Sequence, residues 1–544
     1  MTTSEPHRPP APVIGRRTFL AGVVATALAA GCSNGDGDDP EPTGGSGDGA
    51  VPETAADLPP VPTDLPADVF ALGVASGDPL PDSVILWTRL VNDPLADGGG
   101  LPEQPLPVRW EVAADERFDD VVASGDAVAE PALAHAVHVD ASGLEADTWY
   151  WYRFSVGEST SAVGRTRTAP EAGGQVERLR FAFASCQNFQ HGYWPAHAQI
   201  AADDIDLVLF LGDYIYESAP DPDAVRTHQA GAPVDLAGYR RRYGEYKADA
   251  ALQAAHARAP WVCTWDDHEV ENNYADDVPD GDAVSREAFA ERRAAAYQAY
   301  YEHMPLRVEQ PDGADLTLYR AVDWGDLARF YVLDGRQYRS DQACDVPLDV
   351  GVSCAEVADD DRTMLGDEQE AWLADELDGS DATWNVVAQQ TIVSKITLPL
   401  GSNEGLNLDQ WDGYPAARAR LVERLREVDN PVVITGDIHA SGVGVITDDP
   451  ADASTPAAVP ELVGTSISSR FPPDLVALVE RAAAASPTIR YAEPHKRGYV
   501  LCEVTSDALE ASFRYASTVA TADAEVTTGA RWVIRAGDPE PRAL

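Results

Sequence analysis

Lysine is almost missing from this 544-residue chain, which holds only Lys247, Lys395 and Lys496. Arginine therefore carries nearly all the positive charge, and 40 Lys+Arg stand against 90 Asp+Glu for a formal net charge of −50. No basic stripe interrupts that acidity, so a nucleic acid is repelled at any distance that salt does not screen, and a nucleic-acid binder is excluded. Long apolar runs are lacking too. No stretch reaches the roughly 18 residues a spanning helix needs, so no membrane span is expected. What remains is an ordinary globular composition, 44% hydrophobic and 24% charged, in which Asp and Glu replace lysine. A chain of this length can bury a large core and divides into roughly two to four domains.

The first residues carry an address. Arg16 and Arg17 precede an apolar run from Phe19 to Ala30, which meets Gly31-Cys32. This order resembles a twin-arginine export signal over residues 1–31. Ala29-Ala30-Gly31-Cys32 also resembles a lipoprotein processing site, which makes Cys32 a candidate for lipidation; ordinary cleavage nearby is the alternative. Residues 32–66 are dominated by Gly, Asp, Pro, Ser and Thr, with eight acids and no Lys or Arg, and are expected to form an acidic disordered tether.

Two blocks follow with different periods. Over 67–172 short alternating stretches (Ser83–Thr88, Val108–Val112, Trp149–Val156) are separated by Gly, Pro and Asp, the pattern of a small antiparallel β-sandwich. Over 178–520 buried runs alternate with helical stretches such as Arg286–His303 and Glu368–Leu377, which predicts an α/β domain with its sheet covered on both faces. Residues 521–544 are expected to form a C-terminal tail. The runs are Leu179–Ser185, Ile205–Leu211, Trp261–Trp265, Leu327–Leu333, Trp384–Ala388 and Val432–Thr435.

The residues at the ends of these runs carry the chemistry. They are Ser185-Cys186-Gln187-Asn188, Gly212-Asp213-Tyr214-Ile215-Tyr216, Asp266-Asp267-His268-Glu269, Asp334-Gly335-Arg336, Gln389-Gln390 and Gly436-Asp437-Ile438-His439. A lone Asp after a strand is most often a turn or cap residue. Helix caps do not call for Cys, Tyr and His, however, and ligands of open α/β sheets bind outside the carboxyl ends of the strands. Asp213 and Asp267 offer hard oxygen ligands, Cys186 and His439 softer sulfur and nitrogen, and Tyr216 a phenolate. Cys186, Asp213, Tyr216, Asp267 and Asp437 bring five negative charges if all bind as anions. A trivalent and a divalent ion cancel them, favouring ferric iron on the Cys/Tyr/His side and a hard divalent ion among the carboxylates; manganese and zinc remain alternatives.

Gly212-Asp213-x-x-Tyr216, Asp267-His268-Glu269 and Gly436-Asp437-x-His439 resemble the metallophosphoesterase motif set. Leu72-Gly73-Val74-Ala75-Ser76-Gly77-Asp78-Pro79, Ala184-Ser185-Cys186-Gln187, Trp265 to Glu269, Trp411-Asp412-Gly413-Tyr414 and Gly464-Thr465-Ser466 are similar to PhoD-like alkaline phosphatases in particular, from about Phe70 to Tyr515. The resemblance implies a metallophosphoesterase-type layered β-sheet core flanked by helices, with a small N-terminal β-sandwich. It also implies Fe3+ with Ca2+, and hydrolysis of small phosphate esters outside the cytoplasm by a metal-bound oxide or hydroxide attacking phosphorus. Carried over by position, Cys186, Asp213, Tyr216 and His439 hold iron, and Asp213, Asp267 and Asp437 hold the divalent ion. His268 serves the leaving group or orients the nucleophile, and Arg336 is a candidate phosphate clamp. Asn188 and Asn273 are candidate substrate contacts, with Gln390 and Asp412 in weaker support; His135, His138 and His256 are expected to be structural.

Cysteine usage agrees with export. Cys344 and Cys354 flank a polar excursion suited to a disulfide, while Cys263 and Cys502 sit in apolar runs as buried thiols. The resulting expectation is a monomer exported by the twin-arginine route, extracellular, periplasmic or lipid-anchored through Cys32. A phosphodiesterase or phospholipase D-like activity at the same two metals is the alternative, and a non-catalytic calcium-binding surface protein the third possibility.

Overall fold

The computed structural model describes residues 58–280, 284–344, 346, 350–400, 403–448 and 454–544. The export signal, Cys32 and most of the tether lie outside the described residues. All six apolar runs are strands, divided between two sheets. Leu179–Ala184, Leu207–Leu211 and Trp261–Thr264 lie parallel in the middle of a ten-stranded sheet. Ala328–Val332, Trp384–Ala388 and Pro431–Thr435 lie parallel in a seven-stranded one, with Val459–Val463 beside them.

These strands have no polar face because each is buried on both sides. Leu207, Leu209 and Leu211 point to a core shared by the two sheets, where they meet residues such as Phe330, Val386 and Ile434. Val208 and Phe210 point the other way, to a core closed by the helices Pro195–Ala202, Leu236–Lys247, Ala250–His256 and Arg286–His303. The far face of the second sheet is covered by Gly366–Asp378 and Pro415–Leu425 through Leu373, Leu377, Leu421 and Leu425. The order is helix, sheet, sheet, helix, and both sets of parallel strands release their turns at the same end. Helix starts follow local chemistry: Asp235 Oδ1 accepts from Gly238 N at 2.7 Å, and Ser285 Oγ from Ala288 N at 3.3 Å.

Two expectations about boundaries change. The 67–172 block is a sandwich, but one of its leaves is the edge of the large sheet. Val74–Gly77, Ser83–Arg89 and Ala136–Ser142 extend the ten strands, with Gly77 opposite Trp261. Val84 and Leu86 pack on Val108, Val112, Tyr152 and Phe154 of the smaller sheet, while Trp87 faces the other way into a second cluster. Residues 521–544 are not a tail either. Val526–Arg535 and Asp538–Ala543 form a hairpin on the opposite edge, turned by Ala536-Gly537 with Gly537 at φ +74°. Val533 and Ile534 are buried there, which gives the hairpin its anchor.

One of the three lysines closes the helix Leu236–Lys247 in an apolar setting. Lys247 Nζ lies 4.1 Å from the Trp87 ring centroid and 5.4 Å from that of Tyr214, and burial pushes its pKa down to about 7. An unfolded chain holds this proton to about pH 10. Between about pH 7 and 10 the unfolded state therefore binds the extra proton, and Lys247 adds stability as pH rises through that window. Lys247→Met is expected to flatten this rise by on the order of a few kcal/mol, measured by urea unfolding at pH 7 and pH 10. An identical pH slope in both proteins contradicts the assignment.

Candidate metal centre

The turns that leave the parallel strands are tight and strained. Cys186, Asp213, Asp437 and His439 all take left-handed backbone conformations, with φ between 55° and 60°. Such a conformation costs a non-glycine residue roughly 1–3 kcal/mol, and clusters of it mark functional sites. Gly212 brings two of these turns together: a Cβ on it would lie 2.5 Å from Asp266 Cβ. Glu269 fastens them, accepting from Asp213 N at 3.1 Å, Tyr214 N at 2.6 Å and Asp266 N at 3.0 Å.

Two donor groups result, and Asp213 belongs to both. Donor atoms of Cys186, Asp213 and His439 lie within 4.8 Å of one another, and so do those of Asp213, Asp267 and His268. Tyr216 joins the first group: its Oη donates to Asp213 Oδ2 at 2.5 Å and lies 3.0 Å from His439 Nε2. His439 Nδ1 donates to the Arg470 carbonyl at 3.1 Å, which turns Nε2 toward the cluster. Asp213 Oδ1 and Asp267 Oδ1 are buried and have no hydrogen-bond partner among the described residues. A soft-donor group and a carboxylate group sharing one Asp, with unsatisfied oxygens in each, fit a pair of cations.

The electrostatics agree. Burial pushes the Cys186 thiol and the Tyr216 phenol well above their ordinary ranges, and the Asp213 charge adds to both. Burial and the nearby Asp409 raise Asp437 to about 7. Burial also opposes the Asp267 carboxylate, but Arg336 and His268 outweigh it and hold this group below the usual range. The cluster is therefore short of positive charge.

Several residues are not placed as expected. Asp437 joins neither group; Gln410 Nε2 donates to its Oδ2 at 2.5 Å, and its backbone carbonyl lies 3.7 Å from Cys186 Sγ. His268 stands within the carboxylate group, with Nδ1 2.7 Å from Glu217 Oε2 and its ring over Tyr216 at 4.1 Å. Arg336 is no clamp for phosphate. It is fully buried beneath the site, with Nε on Asp266 Oδ1 at 2.5 Å and its two terminal nitrogens on Asp409 at 2.7 and 2.9 Å. Asn188 caps a short turn through Oδ1, which accepts from Gln190 N. Asn273 acts on Asp267 through its backbone, N to Oδ2 at 2.6 Å. Gln390 holds strand ends together, donating to Trp265 O and Leu333 O, and Asp412 Oδ2 accepts from Ile396 N. His135, His138 and His256 each meet a protein group, Gln104 O, Met304 O and Tyr214 Oη in turn. Cys344 and Cys354 are bonded, with Cα atoms 5.7 Å apart, and Cys263 and Cys502 are buried thiols.

Comparison with known proteins decides the family. A model of the PhoD-like phosphatases matches residues 181–513, and one of the PhoD-like phosphatase N-terminal domain matches 55–170. The chain belongs to the PhoD-like phosphatase family. It is 47% identical to alkaline phosphatase D of Bacillus subtilis (strain 168) over 478 residues, covering 85% of this chain and 80% of the relative. A solved structure of PhoD matches with a TM-score of 0.84 at 45% identity, covering 88% of this chain and 93% of that one. A purple acid phosphatase from yellow lupin (Lupinus luteus) shares the fold, with a TM-score of 0.51 at 14% identity over 85% of this chain and 73% of that one.

This PhoD-like phosphatase also uses residues that the motifs alone do not flag. Glu217 follows Tyr216 directly and carries His268. Asp409 and Gln410 stand just before the Trp411-Asp412-Gly413-Tyr414 stretch, where one grips Arg336 and the other Asp437. Because Arg336 neutralises buried carboxylates, Arg336→Ala is expected to lower stability by about 3–5 kcal/mol in urea unfolding. A variant of wild-type stability that loses only affinity for phosphate would instead put this guanidinium in the substrate pocket.

Proposed function

We propose that this PhoD-like phosphatase is an exported two-metal phosphoesterase acting on small phosphate esters, with Fe3+ on Cys186, Asp213, Tyr216 and His439 and Ca2+ on the Asp213 and Asp267 side. The observation that carries this reading is Asp213 shared between a soft and a hard donor group. Cations held there supply Lewis acidity toward the phosphoryl oxygens and lower the pKa of water.

The protein's own groups do the rest. Glu217 engages His268 Nδ1 and leaves Nε2 for the site. Burial works against a charged His268, but Glu217, Asp267 and Asp213 outweigh it and hold its pKa well above the ordinary range. The ring is thus suited to carry a proton to the leaving oxygen. Asn188, whose Oδ1 accepts from Gln190 N, is the candidate substrate contact beside the Cys186 turn. The wide negative surface disfavours polyanionic polymers, while the metal pair attracts one small phosphate locally. No helix among the described residues is long and apolar enough to cross a membrane. Export rests on Arg16-Arg17 and the apolar run that follows, with Cys32 as the candidate lipid anchor.

The purified protein is expected to hydrolyse a phosphomonoester, with a phosphodiester and a phospholipid assayed beside it at several pH values. EDTA should abolish the activity. His268→Ala should lower kcat by about 100-fold or more with metal content retained, and Tyr216→Phe should remove a visible phenolate-to-iron band. A metal-loaded protein inactive on all three esters overturns the function, and a colourless, fully active zinc protein overturns the metal assignment.

A further inference from the structure

Gly464-Thr465-Ser466 follows the strand Val459–Val463 of the second sheet, and the loop it opens crosses to the turn after Leu179–Ala184 of the first. Ile467 N donates to Ser185 O at 2.9 Å, and Ser469 N to Cys186 O at 3.2 Å. Ser466, Ser468 and Ser469 are all fully buried. Ser466 Oγ donates to Ser469 O at 2.6 Å and fixes the loop's own shape.

Ser469 Oγ stands at the centre of these contacts. It lies 2.8 Å from Cys186 O and 2.8 Å from Tyr216 Oη, and accepts from Asn188 N at 3.1 Å. The hydroxyl has one hydrogen and two acceptors in reach. The Cys186 carbonyl already receives backbone N–H groups from Ser468 and Ser469. The Tyr216 oxygen gives its own hydrogen to Asp213 and, Ser469 apart, meets only His439 Nε2 among the described residues. The phenolic oxygen is therefore the acceptor in greater need.

We propose that Ser469 is a positioning residue of the metal centre: its hydroxyl holds the Tyr216 oxygen in place for the cation and ties it to the Cys186 turn. The inference rests on the two-cation reading above. It assigns a role to a serine loop of the second sheet, through which ligands borne on the first sheet keep their geometry. Groups that orient metal ligands in this way typically change metal affinity when removed.

The test uses the full-length protein and three variants, Ser469→Ala, Ser469→Thr and Ser468→Ala. Ser468 is the control because its Oγ meets Asn188 O and Trp194 Nε1 but not Tyr216. Each protein is read by its visible tyrosinate band and by the metal it retains against graded EDTA. Ser469→Ala is expected to shift the band and weaken metal retention by about 10- to 100-fold, Ser469→Thr to restore both, and Ser468→Ala to leave both as in the wild type. An unchanged band and retention in Ser469→Ala, or equal changes in Ser468→Ala, overturn the proposal. Should Ser469→Ala not fold, Ser469→Cys, which keeps the shape but donates weakly, is read the same way. A wild-type protein without a visible band fails the ferric assignment alone; retention of the metal it does hold then decides the role of Ser469.

Discussion

Buried negative charge at one end of two packed sheets is the constraint on which this structure turns. Asp213, Asp266, Asp267 and Asp409 are each less than 5% exposed, and Cys186, Tyr216 and Asp437 stand among them. Two buried arginines, Arg336 and Arg339, face this group from below, the second with Nη1 3.3 Å from Asp409. They neutralise the inner carboxylates and leave the outer ones uncompensated. Isolated charges in such a setting cost several kcal/mol each. The outer oxygens are therefore suited to cations.

The layered architecture brings these groups to one place. Each sheet has parallel strands, and parallel strands expose their turns at a common end. The first sheet supplies Cys186, Asp213, Tyr216, Asp267 and His268, and the second supplies His439 with Arg336 beneath, while Gln410 comes from the segment that follows Asn403–Asn407 of a small three-stranded sheet. Glu269 pins the turns of the first sheet to each other, and the serine loop after Val459–Val463 pins the second sheet to the first. The chain belongs to the PhoD-like phosphatases, and a purple acid phosphatase shares its fold.

Much of this was legible from residue order. Strands buried on both faces show as unbroken apolar runs, so Leu207–Leu211 and Trp384–Ala388 were plain, and the polar types after them pointed to Cys186, Asp213, Tyr216 and His439. What stayed hidden depends on contacts between distant segments. Nothing near Arg336 announces that Asp409, 73 residues later, occupies its guanidinium, and a strand-end arginine looks the same whether it faces phosphate or carboxylate. Asp437 sits in a motif, but the motif does not show that Gln410 donates to its Oδ2. The C-terminal hairpin shows little alternation because most of Val526–Arg535 is not buried and its buried Val533 and Ile534 are adjacent, and the N-terminal leaf merges with the large sheet through a single parallel contact at Gly77 and Trp261 that local patterning does not encode.

The central claim is that Asp213 is shared by two cations, one on the Cys186 side and one on the Asp267 side. Anomalous X-ray diffraction, with elemental analysis of the same protein, tests it most directly. The expected result is two metal ions per chain, both within bonding distance of the Asp213 carboxylate, with iron on the side of Cys186, Tyr216 and His439. A fully active protein with a single ion, or with two ions that do not share Asp213, would contradict it.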